Sequence, residues 1–553
     1  MTLAAPQLNV SRAAEVAGPI RLVPLDEDSW VRLNARFKPQ PELCPAKQPR
    51  NLHAGYPGIL EIGRRSDGRM YLVTELTFPR YLKGIAEVPR DWPLEALKAQ
   101  VVAARTYAIS HMNPSDALAR ELRYNLCATD RCQVYRGRIV EAGAWGEEWT
   151  RAVDETVGEV LEHNGRPAST FYFSTSNGRT YSNADAFGGS PLPYLKPITE
   201  SDDTQSPLSN WSVTMPLPDL AETLSRARVW GGEPVQEVVQ EGESVRISGG
   251  GRSASFSLVA FRNHLNSEAV CLEPKRYPTI GSNGRPMPQV IPSKWMNVMR
   301  EGDAVVVTGR GWGHGVGMVQ WGLKGKAERG MTHAEMLAFY YGGIRPTKRE
   351  EPGQIRVGLA VDIEEMAVEL NGRFRVEGAQ FPNGPVVIRA GSALSVEPGP
   401  GIASVLTIEK VSGPSRAASG GSAELSFELS SAARVRLSYR GPGEAQGETA
   451  AEPKDRGQQT FAWDPGDLPG GAYEVRLVAT DGVDEVASDP IQLKVEGPSP
   501  SPTPKQSPSR SPAAAPPERT GSSLVIAGVG LLGLVALGAV ALLMARGARR
   551  RKT

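Results

Sequence analysis

Glu87 stands in the short apolar run Tyr81-Leu82-Lys83-Gly84-Ile85-Ala86-Glu87-Val88-Pro89, just ahead of a helical pattern from Leu94 to Ser110. A carboxyl group deprived of water favours its neutral, proton-bearing form. That is the chemistry of a general acid, and of a general base once the proton has been given up. The helix that follows is unusual. At about 100° per residue, Leu94, Leu97, Val101, Val102, Ala104, Ala108 and Ile109 fall on one broad face, and Lys98 and Arg105 project close to its centre. Two cations in such an arc require an anionic partner or a cleft, because unpaired charge is costly in an apolar interior. One reading pairs them with Glu87 in a buried salt bridge that only orients the helix; the other gives them a substrate anion. Burial raises the pKa of Glu87, whereas Lys98, Arg105 and the helix N-terminus lower it, and the sequence leaves the balance open.

Two further stretches carry polar side chains in a glycine-rich setting. The loop Ser174-Thr175-Ser176-Asn177-Gly178-Arg179-Thr180 offers Ser174, but no histidine lies at a spacing that suggests nucleophilic catalysis. The block Gly309-Arg310-Gly311-Trp312-Gly313-His314-Gly315-Val316-Gly317-Met318, followed by Gln320-Trp321-Gly322, reads as a packing element with His314 a satisfied interior histidine. Trp312 and Trp321 suit either a core or stacking on sugar rings.

In wording and order, the stretches Tyr81 to Tyr107, Phe171 to Leu195 and Gly309 to Tyr341 resemble the SpoIID/LytB family of cell-wall proteins, the stage II sporulation protein D-like lytic transglycosylases and amidase enhancers. The resemblance implies an enzyme that breaks the bond between N-acetylmuramic acid and N-acetylglucosamine without water, leaving 1,6-anhydro ends, in sporulation or cell-wall remodelling. Its catalytic residue corresponds to Glu87. Lys98 and Arg105 match helix positions that matter for activity in the family, and Tyr194 and Lys196 of Pro193-Tyr194-Leu195-Lys196 match a second such pair. All four are expected to bind substrate. Hydrolytic glycosidases need two carboxylates, but a lytic cleavage needs one, because the muramic 6-hydroxyl attacks its own anomeric carbon. The lactyl carboxylate of muramic acid, free on peptide-stripped strands, is a natural partner for Arg105 and Lys98. Where some members carry histidine and cysteine suited to zinc, this chain has Phe173 and Ser176, so no metal and no cofactor is expected. The same resemblance allows a non-catalytic reading, an enhancer partnered with a cell-wall amidase. A wall-binding adhesin is a third reading.

These residues must be positioned by more than one folded unit, since 553 residues exceed what a single hydrophobic core holds. The expected class is α+β: a SpoIID-like mixed domain over 20–350, a small β-rich segment over 351–401, and an immunoglobulin-like sandwich over 402–497. Asp91 and Pro93 suit the start of the helix at Leu94. Asn371-Gly372 reads as a hairpin turn after the alternating strand Ile355 to Leu359. The ending Phe461-Ala462-Trp463-Asp464 and Gly470-Gly471-Ala472-Tyr473 is similar to the immunoglobulin-like domain of flagellar hook-capping proteins, which implies a spacer or binding module and no chemistry. A Pro/Ser-rich stalk follows over 498–521, then an apolar run over 522–545 long enough for a transmembrane helix, and a basic tail over 546–553. That run implies a single-pass membrane protein with its N-terminal bulk outside. Pro517-Glu518-Arg519-Thr520-Gly521 resembles a sortase signal and gives a wall-anchored alternative. Met1 to Ile20 holds no apolar signal sequence, and the expectation is that an exported chain starts upstream of Met1. Four cysteines fit two disulfides, Cys127–Cys132 across a short polar loop and Cys44–Cys271, with four free thiols the reading for a reducing compartment. A net charge of +1 supplies no field to gather nucleic acid, which is excluded as a partner.

Overall fold

The computed structural model describes residues 14–496, apart from 17, 115, 273–275, 282–283, 285 and 419–420. Its architecture is mixed α and β and rich in strands. An 18-residue strand, Gln354–Asn371, organises the first of three cores. Ile355 and Val357 alternate into that core, and after bulges around Ala360 and Ile363 the pattern resumes with Met366 and Val368. Each bulge bends the strand. Its first half therefore pairs with Met70–Thr77 and its second with Trp30–Phe37, while Val386–Ala390 and Leu126–Cys127 add to its edges. Strands within residues 351–401 thus pair into the first sheet. The turn at Gly372 is not a hairpin, because the next strand, Phe374–Glu377, pairs with Ile20–Pro24.

The helix Leu94–Ser110 shares the first core but packs mainly against the helices Gly146–Glu155, His333–Tyr340 and Gln320–Glu328, and it is buried on more than the one face expected. Ala96, Ala99, Ala103, Ala104 and Ala108 are all inaccessible, and these small side chains admit neighbours on every side. Asp91 does not cap it; Pro93 occupies the cap position without a side-chain hydrogen bond.

Between the Ser174 loop and the glycine block the chain makes an excursion into a second core. Six antiparallel strands, in the order Trp211–Pro216, Ala304–Gly309, Met296–Glu301, Glu237–Glu241, Ser244–Gly249 and Arg252–Ser257, carry the helices Leu217–Arg226 and Leu258–Glu268. The excursion returns where it left, with Trp211 opposite Gly309. The cysteines pair as the spacing suggested, Cys127 with Cys132 and Cys44 with Cys271. The latter ties the excursion to the loop after Trp30–Phe37, and on a chain-entropy account closing so long a loop contributes about 5 kcal/mol.

The third core lies between two further sheets and is filled by Leu425, Phe427, Phe461, Trp463, Tyr473 and Leu477. One buried carboxylate fastens it to the first sheet. Asp484 accepts from the Arg32 guanidinium, from the amides of Val405 and Leu406 and from Ser404 Oγ, and His53 Nε2 lies 3.0 Å away.

The single-pass localisation requires correction. Among the described residues no helix is long and apolar enough to cross a membrane. The stalk, the apolar run over 522–545 and the basic tail lie outside the described residues, so the transmembrane helix and the membrane as a partner are not supported.

Removing Asp484 leaves Arg32 with Glu369 alone and strips the Val405 and buried Leu406 amides of their acceptor. Asp484→Ala is expected to destabilise the fold by roughly 3 kcal/mol, measured as a lowered denaturant midpoint, and to speed proteolysis at residues 402–406.

Candidate functional site

Glu87 leaves the short helix Phe78–Lys83 on an extended segment that is pinned by backbone pairing. Ala86 N donates to Val134 O at 2.8 Å, and Ile85 bridges Tyr135. The same neighbour then holds the side chain, with Val134 N donating to Glu87 Oε1 at 2.7 Å. The Tyr172 hydroxyl is also near enough to lower the carboxyl's pKa. Tyr172 Oη itself accepts from Gln133 Nε2 at 3.0 Å, and Gln133 Oε1 accepts from Tyr81 Oη at 2.8 Å. The relay therefore leaves the Tyr172 proton free to face Glu87. Gln320 Nε2 reaches the Glu87 carbonyl oxygen at 3.2 Å and Gln100 Oε1 at 3.4 Å. Three separate stretches of chain thus converge on Glu87, two at its carboxyl group and one at its backbone carbonyl.

Burial is the largest influence on that group. It pushes the Glu87 carboxyl up to about 7, against the Val134 hydrogen bond and the Tyr172 hydroxyl and with a small upward push from Asp130. The balance that the sequence left open is settled by direction. Lys98 and Arg105 are seven residues apart and so share a helix face, while Gln100 lies some 200° and 140° away from them. Gln100 faces Gln320; the cations face elsewhere. Lys98 Nζ sits 2.8 Å from both Glu95 and Glu155. Arg105, 0% exposed, pairs with Glu351 at 2.6 Å and donates to Thr156 Oγ1 and to the carbonyls of Glu159 and Val153. His333 joins this network, bridging Glu95 and Glu159.

Beside Glu87 opens a cavity of about 310 Å³, lined by Trp92, Trp312, Trp321, Ser174, Gln320 and Met287 among others. Trp92 and Trp321 meet edge to face, 5.1 Å between centroids. Glu87 is the cavity's one acid among the described residues. None of the four expected substrate-binding residues lines it. Lys98 and Arg105 are held by carboxylates as above. Tyr194 is buried, its hydroxyl accepting from Ser169 N at 2.9 Å and its ring beside His163. Lys196 is exposed, and only its carbonyl is engaged, by Thr180 Oγ1. Sequence reasoning missed the roles of Tyr172, Gln133 and Gln320. The signal for Gln320 was a long polar side chain inside an otherwise glycine and apolar block.

That block wraps tightly around the strand bearing Tyr172. Gly317, at φ +76°, has Phe171 O where a Cβ would stand, at 2.1 Å, so no other residue fits. Met318–Val319 then pairs in parallel with Tyr172–Phe173. His314 is interior: its Nδ1 accepts from Val316 N, Phe171, Phe173 and Phe187 surround it, and burial pushes it down to about 4. Among the described residues no group of three or more His, Cys, Asp or Glu is placed to hold a metal ion.

The family model described as Stage II sporulation protein matches residues 66–163, which include Glu87. An uncharacterized protein of Brachyspira hyodysenteriae is 31% identical over 277 residues, covering 50% of this chain and 68% of that protein. Stage II sporulation protein D of Bacillus subtilis is 29% identical over 282 residues, 49% of this chain and 75% of its own length. The chain belongs to the SpoIID/LytB family. A further relative, the amidase enhancer of Bacillus subtilis, is 28% identical over 306 residues, with 48% of this chain aligned to 40% of that protein. Both kinds of SpoIID/LytB relative therefore align with about half of the chain.

The ion pairs on the far face of the helix differ in burial, and so in weight. Arg105→Ala leaves Glu351 without its partner and is expected to cost about 3–5 kcal/mol in denaturant unfolding. Lys98→Ala, facing two partly exposed glutamates, is expected to cost about 1 kcal/mol or less.

Proposed function

We propose that this chain is a peptidoglycan lytic transglycosylase, cleaving the bond between N-acetylmuramic acid and N-acetylglucosamine in peptide-stripped glycan strands during sporulation or cell-wall remodelling. The observation that carries this reading is Glu87, an acid held near neutrality beside a tryptophan-lined cavity that offers no second carboxylate among the described residues. A hydrolase of either stereochemical class needs a carboxylate pair. A lytic enzyme does not. Protonated Glu87 gives its proton to the glycosidic oxygen as that oxygen leaves the muramic anomeric carbon. The muramic 6-hydroxyl oxygen bonds to the same carbon, and Glu87 takes the hydroxyl proton, returning to its starting state with no water consumed.

A group used first as acid and then as base works best with a pKa near the ambient pH. Burial alone would hold the proton too firmly, and the Val134 amide and Tyr172 hydroxyl restrain it. Trp92, Trp312 and Trp321 supply aromatic surface for the apolar faces of sugar rings. Lys98 and Arg105 act as positioning residues, fixing the helix that brings Gln100 to Gln320. Tyr194 supports the segment 169–172 through Ser169. The domain at residues 402–496 serves as an immunoglobulin-like spacer.

A second reading, favoured by the alignment with the amidase enhancer, makes the same cavity a strand-binding site that activates a cell-wall amidase. Mass spectrometry of peptide-stripped strands separates the two. The enzyme reading expects 1,6-anhydromuramic ends, reduced about 10²–10⁴-fold by Glu87→Gln; no new ends from the wild-type chain, with faster amide release by an added amidase, expects the other.

The pH dependence follows from the raised pKa. Cleavage requires the protonated form, so its rate is expected to fall about tenfold per unit above pH 7. Folded Glu87 binds its proton more tightly than the unfolded carboxyl, whose usual value is 4.5. Its contribution to stability is therefore largest in acid and declines as pH rises from about 4.5 to about 7. Glu87→Gln has no proton to lose, and above that window it is expected to be more stable than wild type by about 3 kcal/mol at most, read from melting curves at pH 5 and 8.

A further inference from the structure

Gly281 and Met287 line the Glu87 cavity on one side and, on the other, a larger cavity of about 710 Å³. Arg310 lines the larger one and Trp312 the smaller, two residues apart and so within about 7 Å along the backbone. The two spaces are therefore adjoining parts of one groove. The chemistry of the second is distinctive. Among its described lining residues Arg310 is the one charged side chain, and no carboxylate faces it. Its guanidinium makes a single long contact, Nε to Ser209 O at 3.5 Å. Lys98, Arg105 and Lys326, by contrast, are each ion-paired with carboxylates.

Two neighbouring polar atoms also lack partners. Asn177 Oδ1 and Trp295 Nε1 are buried and unsatisfied among the described residues. They belong to one rigid group: Asn177 Nδ2 donates to Tyr181 Oη at 2.9 Å, and the Tyr181 ring lies flat on Trp295, 5.5 Å between centroids and 9° between planes. Buried polar atoms are nearly always paired. Neither atom reaches the cavity surface, so among the described lining residues Arg310 is the charged group offered to a ligand.

Resting on the reading of Glu87 as a glycan-cleaving acid, we infer that this second cavity binds an N-acetylmuramic acid of the strand, Arg310 pairing with its carboxylate beside the wall formed by Asn177 and Trp295. The cation that reads the lactyl carboxylate is thus Arg310, and not Lys98 or Arg105. Only a strand freed of its peptides presents that carboxylate, so the site confers preference for stripped strands.

The test uses the full chain carrying Glu87→Gln, so that bound strands are not cut, and measures binding to peptide-stripped glycan strands and to the same strands with their carboxyl groups amidated. Stripped strands are expected to bind about tenfold more tightly. Adding Arg310→Gln should erase that difference by weakening only the stripped strands, and Arg310→Lys should restore part of it. Arg310 is exposed, so both variants keep the core, as melting curves will register. Equal weakening of both probes, or of neither, overturns the assignment. If wild type yields anhydro ends while binding ignores Arg310, this site falls and the cleavage reading stands; if Arg310 governs binding but no ends form, the reverse holds.

Discussion

Keeping water from the Glu87 carboxyl disfavours its charge, and the effect survives only if the protein withholds compensating charges as well. The magnitudes make this a strict condition. A cation 4 Å away at an effective dielectric near 20 contributes about 4 kcal/mol, equivalent to some three pKa units. One such neighbour would cancel the whole upward displacement. The structure instead supplies two neutral groups, Val134 N and Tyr172 Oη, and turns Lys98 and Arg105 away onto glutamates. Their fixed pairing is as important to the site as the groups that touch Glu87.

Placement of those two groups depends on distant parts of the chain. Val134 follows the Cys127–Cys132 loop, and Tyr172 lies on a strand whose partner, Met318–Val319, ends the glycine block. The block's alternating positive-φ glycines let it run against Phe171 and Thr175 at distances a side chain would forbid. Gln320 and Trp321 emerge from it directly into the cavity wall. Fold and site are therefore coupled through backbone contacts more than through side-chain packing.

Much of this was legible in the residues themselves. Glu87 in its apolar run, the helix after it, the disulfide pairs and the strand-rich second half all carry local signals: periodicity, spacing and turn chemistry. What could not be read was which surfaces meet. Lys98 and Arg105 were correctly placed on one helix face, but their partners Glu155 and Glu351 come from residues 57 and 246 positions further on. The strand after Glu351 showed clear alternation, yet nothing local marks it as the middle of a sheet in which its partners Met70–Thr77 and Trp30–Phe37 precede it by about three hundred residues. The Asn371-Gly372 turn chemistry is real, but long-range pairing with Ile20–Pro24 overrode the hairpin it suggests. Arg310 escaped notice because an unpaired surface arginine looks the same in sequence as any other.

The excursion over residues 211–309 enters and leaves through neighbouring strands, so by backbone alone it would hang from the rest like a door on one hinge. The Cys44–Cys271 bond is a second fastening, far from that hinge in sequence. The Lys47–Glu268 ion pair lies beside it, and together these attachments restrict the panel's swing. The groove between Glu87 and Arg310 therefore has one wall that is fastened from both ends of the excursion rather than from its hinge alone.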